Sequence, residues 1–218
     1  MPIKKNDFVE LDYTGHIKDS NEIFDTTVEK TAKEAQIFAQ GANYKPVIIC
    51  VGEGHILPGI DEFLIGKDVG NHKVELGAEK AFGKKRADLV RMIPQKRFEE
   101  QKIQPMPGLR LNIDGAVGII KSVSGGRIVV DFNHPLAGRD VFYDIKVNRL
   151  VSDKKEQVTA LMRVLLGMRE PKVELNGKKA KVILPVELPK ELLDALKKKM
   201  SDLTGVEIDI IVEKKDKK

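Results

Sequence analysis

Asp7-Phe8-Val9-Glu10-Leu11-Asp12-Tyr13-Thr14-Gly15-His16-Ile17-Lys18 alternates apolar and polar side chains over most of its length. That is the period-two pattern of a strand with one buried face. A matching pattern returns far down the chain, in Asp140-Val141-Phe142-Tyr143-Asp144-Ile145-Lys146-Val147. Between the two the texture changes near Lys84 and changes back at Asn133, so a first domain is begun, interrupted and then completed. Its first part reads as a turn at Asp19-Ser20-Asn21, a loop or short helix over 28–45, and an apolar strand at 47–51 after Pro46. A short helix entered through Pro58 follows, with Ile60, Phe63 and Leu64 on its apolar face, and then a strand at 73–76.

The interrupting piece carries a helical stretch over 94–100 and strands at 116–123 and 127–132 flanking the tight turn Ser124-Gly125-Gly126. Beyond the charged linker 152–156, Val158, Leu161, Met162, Leu165 and Leu166 fall at helical spacing. Strands at 171–175 and 179–186 around Asn176-Gly177, a helix over 189–200 and a strand at 206–212 complete an α-β-β-α-β unit. The domain expectation is therefore 1–85 with 132–151, an insert 86–131, and a C-terminal domain 152–218.

With 218 residues and 24.4 kDa the chain exceeds the usual single domain of about 100–150 residues. Its net charge of +5 comes from 38 basic against 33 acidic residues, a mixed surface whose excess sits in residues 152–218. No Trp and only 3 Tyr argue against a base-stacking nucleic-acid surface. The single cysteine, Cys50, lies in the apolar run Val47–Val51 and reads as a buried strand thiol, which suits a reducing compartment. No run reaches the ~18 apolar residues of a membrane span, and Met1–Asp7 lacks the apolar core of a signal peptide. A cytoplasmic protein without membrane or nucleic-acid partners is the expectation.

Three stretches, in order, resemble the FKBP-type peptidyl-prolyl cis/trans isomerases. They are Val9–Gly15 followed by Phe24-Asp25; Val51-Gly52-Glu53-Gly54-His55-Ile56-Leu57-Pro58-Gly59-Ile60-Asp61; and Asn133-His134-Pro135-Leu136-Ala137-Gly138, which is similar to the motif at the exit of the inserted domain in SlyD-type members. A chain with this C-terminal segment resembles the long archaeal form. The resemblance implies an α+β fold: an antiparallel half-barrel sheet around a short helix, a small β-rich domain inserted in the flap, and the C-terminal α/β domain. It also implies isomerase activity on X-Pro bonds, with Tyr13, Phe24, Asp25, Ile56, Leu57, Ile60, Phe82, Leu136 and Tyr143 at the proline pocket. Phe82 stands where many members have Tyr, and Ile60 replaces the Trp that floors the pocket in single-domain members.

Asp25 reads in two ways, as a carboxylate that orients Tyr13 beside the pocket or as the cap of the turn into Thr26-Thr27. In the insert, Met92, Ile93, Phe98, Val117 and Ile119 offer flexible apolar contacts for unfolded chains, or a small core. By resemblance the insert would be a chaperone domain; the competing reading is a holdase with little turnover, and a more distant one an RNA adaptor using the basic tail. Gly52-Glu53-Gly54 lacks the context of a dinucleotide loop, His16, His55, His72 and His134 lack metal-ligand spacing, and Glu213–Lys218 is no His- or Cys-rich tail. No metal and no cofactor is expected. Lys197-Lys198-Lys199 reads as a solvated helix face, and a homodimer through helix 157–166 or strand 206–212 is the oligomer suggested.

Overall fold

The computed structural model describes residues 1–212, so the terminal run Glu213–Lys218 lies outside the described residues. Two compact units result, one of residues 1–76 with those from Val141 onward, the other Gly77–Asp140. The first begins with β1 (Phe8–Ile17), β2 (Ile23–Thr26), the short helix α1 (Glu29–Glu34), β3 (Val47–Cys50), α2 (Pro58–Leu64) and β4 (Gly70–Leu76). The second holds β5 (Val90–Pro94), α3 (Gln95–Glu100), β6 (Arg110–Ile113), β7 (Ala116–Ser124) and β8 (Arg127–Asp131). The chain returns to the first unit in β9 (Val141–Leu150), followed by α4 (Lys154–Leu166), β10 (Lys172–Asn176), β11 (Lys179–Leu184), α5 (Lys190–Thr204) and β12 (Glu207–Val212).

The first sheet runs β2-β1-β9-β4, all antiparallel, with β3 also on β1. β9 pairs with the whole of β1 from Val9 to Ile17, whereas β3 and β2 share its other edge, at Phe8–Leu11 and Thr14–His16. Leu11, Gly15, Ile17, Tyr143, Ile145 and Val147 are buried, whereas Asp12, Thr14, His16, Asp144 and Lys146 are not, as the alternation demands. Phe8 and Val9 are neighbours and both buried, because Phe8 enters an apolar cluster with the C-terminal segment. Pro58 opens α2, where its missing N–H costs nothing, and Ile60 and Leu64 are the fully buried residues of its face.

At the far end of the β4–β9 ladder, Leu76 lies directly opposite Val141. The insert therefore hangs from a hairpin, in place of its turn. Its sheet runs β5-β8-β7-β6 over a core of Ile93, Phe98, Ile120, Ile128 and Val130. Two clamps close its neck. Ala78 N–H donates to Asp140 Oδ1 at 2.9 Å; further in, the Asn133 amide accepts from Arg86 N–H at 2.9 Å and donates to Arg86 O at 3.0 Å. This neck carries the second unit beyond 86–131, to Gly77–Asp140.

In the C-terminal segment, Asp153 caps α4 by accepting from Glu156 N–H at 2.8 Å. β10 and β11 form the expected hairpin, and β12 lies parallel to β11 after the α5 crossover. Val158, Leu161, Met162, Leu196, Met200 and Val206 pack together with Phe8, Cys50 and half-buried Ile48. Residues 152–212 thus share one core with the first sheet. The strands β2, β5 and β6 are additions to the expected elements, whereas the architecture as a whole is the α+β fold set out above.

Candidate functional site

Gly15 organises the site. On one side it stands opposite Asp25 of β2, and on the other opposite Tyr143 of β9. The β1–β2 pairing then steps from Gly15–Asp25 to His16–Ile23, leaving Phe24 as a bulged residue. A bulge re-aims its side chain, and here the Phe24 ring meets Tyr143 edge-on, with centroids 5.7 Å apart and planes at 87°. Tyr13 meets the same ring at 5.9 Å and 62°. A Cβ on Gly15 would lie 2.7 Å from Phe24 Cζ and 2.8 Å from Tyr143 Cε1. Only glycine lets the two rings approach in this way.

Buried Thr26 and Thr27 pin β2 to β1 beside this cluster. Thr26 Oγ1 and Thr27 N–H both donate to Tyr13 O, at 3.1 and 3.0 Å, and Tyr13 N–H donates to Thr27 Oγ1 at 3.0 Å. Thr27 Oγ1 in turn donates to Asp12 Oδ1 at 2.8 Å. With both backbones fixed, Tyr13 Oη donates to Asp25 Oδ2 at 2.9 Å. Helix α1 starts later, after Val28, and has no side-chain cap. Of the two sequence readings of Asp25, the contact with Tyr13 is the one the geometry contains.

Burial first, and the Asp25 charge second, push the Tyr13 hydroxyl far above its ordinary pKa, and the same two causes act on Tyr143. Both stay protonated at neutral pH, so Tyr13 remains a donor to Asp25. The result is an aromatic cluster in which the Tyr13 and Phe24 rings are each tilted against Tyr143, with the exposed Asp25 carboxylate beside it.

Ile56 and Leu57 are half-buried on the loop that leads into α2, and Ile60 is fully buried in its first turn. Phe82 and Leu136 belong to the second unit. There Phe82 stacks on His134 at 4.6 Å and 2°, and Leu136 N–H donates to His134 Nδ1 at 3.2 Å. A shallow groove of about 520 Å³ also crosses the first sheet. Its lining takes in Asp12, Tyr13, Thr14, Val28, Lys73, Asp144 and Lys146, so it meets the aromatic cluster at Tyr13.

In the insert the five expected contact residues divide. Ile93 and Phe98 are 7% and 2% exposed in the core, so they cannot present themselves to a client; a sheet this small has few other residues with which to fill its interior. Met92 and Val117 are 67% and 48% exposed and Ile119 half-buried, with Met106 a further exposed apolar residue. Met92 borders a groove of about 260 Å³ that also takes in Arg91, Arg97, Ile113 and Phe132.

Sequence reasoning gave no role to Gly15, Thr27 or Asp61. A glycine inside an alternating strand was the available signal for the first. The other two act through partners that only the fold supplies.

A family model described as FKBP-type peptidyl-prolyl cis-trans isomerase matches residues 1–98, and one described as FKBP26, IF domain, matches residues 91–136. The short-type peptidyl-prolyl cis-trans isomerase of Methanocaldococcus jannaschii is 34% identical over 146 residues, covering 66% of this chain and 92% of that protein. The FKBP-type 16 kDa peptidyl-prolyl cis-trans isomerase of Escherichia coli is 33% identical over 110 residues, 48% of this chain and 74% of that one. The SlyD isomerase of Haemophilus influenzae is 28% identical over 109 residues, 47% of this chain and 56% of that one.

Proposed function

Because the chain belongs to the FKBP-type peptidyl-prolyl cis-trans isomerases and has their activity on polypeptides, we propose that the proline ring is held in the slot of Tyr13, Phe24 and Tyr143, beside the Asp25 carboxylate. The Tyr13–Asp25 hydrogen bond at the mouth of that slot carries the reading. Rotation about an X-Pro bond crosses about 18–20 kcal/mol because twisting the amide destroys its resonance. No bond breaks. The planar amide is the more polarised form, so apolar walls that exclude water disfavour it relative to the twisted one. A thousandfold acceleration needs only about 4 kcal/mol, which burial and fixed dipoles can supply without a nucleophile. In this reading Asp25, fixed by Tyr13, faces the twisted carbonyl group, while half-buried Ile56 and Leu57 supply apolar surface from the α2 side, over fully buried Ile60.

The insert is assigned the capture of unfolded chain, which raises the local concentration of X-Pro sites. Exposed Met92, Met106 and Val117 support this, since flexible thioethers and small apolar residues adapt to varied sequences. The cytoplasm is the compartment assigned, on the single buried thiol of Cys50. Of the two elements suggested for a homodimer, α4 turns Val158, Leu161 and Met162 into the chain's own core, and β12 ends its sheet. Pairing of two copies therefore rests on the β12 edge, and sedimentation equilibrium tests it.

The deciding experiment compares wild type, Asp25→Ala, and a variant with residues 87–132 replaced by Asn-Gly, on an X-Pro tetrapeptide and on the proline-limited refolding of an aggregation-prone protein. Asp25→Ala should lower both rates tenfold or more. Loss of the insert should lower only the refolding rate. Suppressed aggregation with no acceleration by the wild type would leave a holdase.

A further inference from the structure

Residues 51–57, between β3 and α2, carry Ile56 and Leu57, and the groups that hold this loop play no part in the reaction described above. Gly54 N–H donates to Asp61 Oδ2 at 2.8 Å, and Cys50 N–H donates to His55 Nδ1 at 3.1 Å. With Nδ1 accepting, the neutral His55 ring carries its proton on Nε2. Asp61 is 6% exposed, and its Oδ1, like His55 Nε2, is buried without a hydrogen-bond partner. The Cys50 thiol, which donates to Asn6 O at 3.6 Å, is pushed up to about 12 chiefly by burial and is chemically quiet.

The C-terminal segment meets this region twice. Leu196 and Met200 of α5 share an apolar cluster with Ile48 and Cys50 of β3, the strand that leads into the loop. Lys199, on the same helix, lies 3.2 Å from Glu53 of the loop. Between Gly52 and Leu57 the loop's anchors are thus the side chains of Asp61 and Lys199 and the ring of His55, not a strand ladder.

We propose that Lys199 and Asp61 are positioning residues of the isomerase: they hold the 51–57 loop in the conformation that presents Ile56 and Leu57 to the proline ring, which makes the C-terminal segment a working part of the pocket. The proposal rests on the assignment of Ile56 and Leu57 to that pocket. When a loop is freed, the binding-competent form becomes a fraction of the population and apparent affinity falls by that fraction. The signature is therefore a raised KM with kcat retained.

The test measures kcat and KM on an X-Pro tetrapeptide, together with thermal midpoint and amide exchange at residues 53–57, for the full chain and its variants. Lys199→Ala and Glu53→Gln should each raise KM about three- to tenfold. Their combination should be no worse than either alone, and Lys199→Arg should restore the wild-type value within about twofold. The thermal midpoint should move little, since an ion pair open to solvent on its Lys199 side contributes little to stability, and amide exchange at 53–57 should quicken. Asp61→Asn, which keeps the size but not the charge, should show the larger KM effect. Unchanged KM and exchange in Lys199→Ala and Glu53→Gln, with Asp25→Ala impaired, would overturn the proposal and leave the pocket assignment standing. Quickened exchange with unchanged KM would overturn it through the pocket assignment instead, because the loop would then be held by Lys199 without serving the reaction.

Discussion

The insert and the C-terminal segment are additions of similar length to one sheet, yet they are built on opposite plans. The insert closes a core of its own, from Ile93, Phe98, Ile120, Ile128 and Val130, and is joined to the sheet where Leu76 faces Val141. The C-terminal segment completes its core only with Phe8, Ile48 and Cys50 of the first sheet. Length does not decide whether a piece of chain is separable; what matters is where its apolar residues find partners. A module with its own core can be exchanged at a hairpin, whereas a segment that shares the core is part of the body it packs on.

The widest gap between the two should appear on deletion. Removing residues 152–218 uncovers Phe8 and Ile48, together with Cys50. At about 1.5–3 kcal/mol for each large side chain, that approaches the whole stability of a typical domain, about 5–15 kcal/mol. The shortened chain should be insoluble or lose cooperative unfolding in circular dichroism, whereas replacing 87–132 by Asn-Gly should leave a folded protein. The opposite result would invert the comparison.

Next in size is a pair of glycine substitutions. Gly15→Val drives a side chain into Phe24 and Tyr143 and should lower kcat/KM on a tetrapeptide by about a hundredfold, as displacement of reacting groups by an ångström can. Gly118→Ala, whose Cβ would sit 2.6 Å from Val130 Cγ1 and 2.9 Å from the Phe132 ring, should instead unfold the insert and spare peptide turnover. Smaller again, Met92→Ser with Met106→Ser should weaken suppression of aggregation several-fold while tetrapeptide kcat/KM stays within about twofold.

The smallest effect is one of pH and belongs to the first unit. Burial chiefly, and then Lys199, hold the His55 pKa below its ordinary 6.5, with Asp61 and Glu53 pulling the other way. Between the folded and unfolded pKa values the unfolded chain binds more protons, so stability is full above about pH 6.5 and is lost as pH falls below it. The thermal midpoint should therefore drop from pH 7 to pH 5. His55→Asn, whose amide oxygen can accept from Cys50 N–H, should flatten that drop.

Much of this was legible in the sequence. The alternation around Tyr13 and Tyr143, Pro58 at the start of α2, and the helical spacing of Val158, Leu161 and Met162 in α4 are local signals, and the structure uses each of them locally. The strands β2, β5 and β6 escaped because four or five residues are too few for a period to show and they lack the unbroken apolar run that marks β3. Phe24 owes its direction to a bulge that depends on pairing with β1, which no pattern within Ile23–Thr26 encodes. In the insert, composition identified apolar residues but could not separate Phe98, in the core, from Met92, on the surface, because both lie in short elements with mixed neighbours. Lys199 looked like one charge of a solvated triplet. Its partner Glu53 lies in a turn of the first domain, and only the shared core brings the two together.

The long ladder between β1 and β9 sets the order in which this protein can be made. Ile17 waits for Val141 and Val9 for Leu150. At about 5–20 residues per second, synthesis of the intervening chain takes roughly 6 to 25 s. Throughout that interval β1 has only β2 and β3 to pair with, and the Tyr143 ring that Tyr13 and Phe24 meet has yet to be made; non-local pairing of this kind makes the eventual closure slow. Each new copy of this isomerase of polypeptides spends that time as an unfinished polypeptide itself.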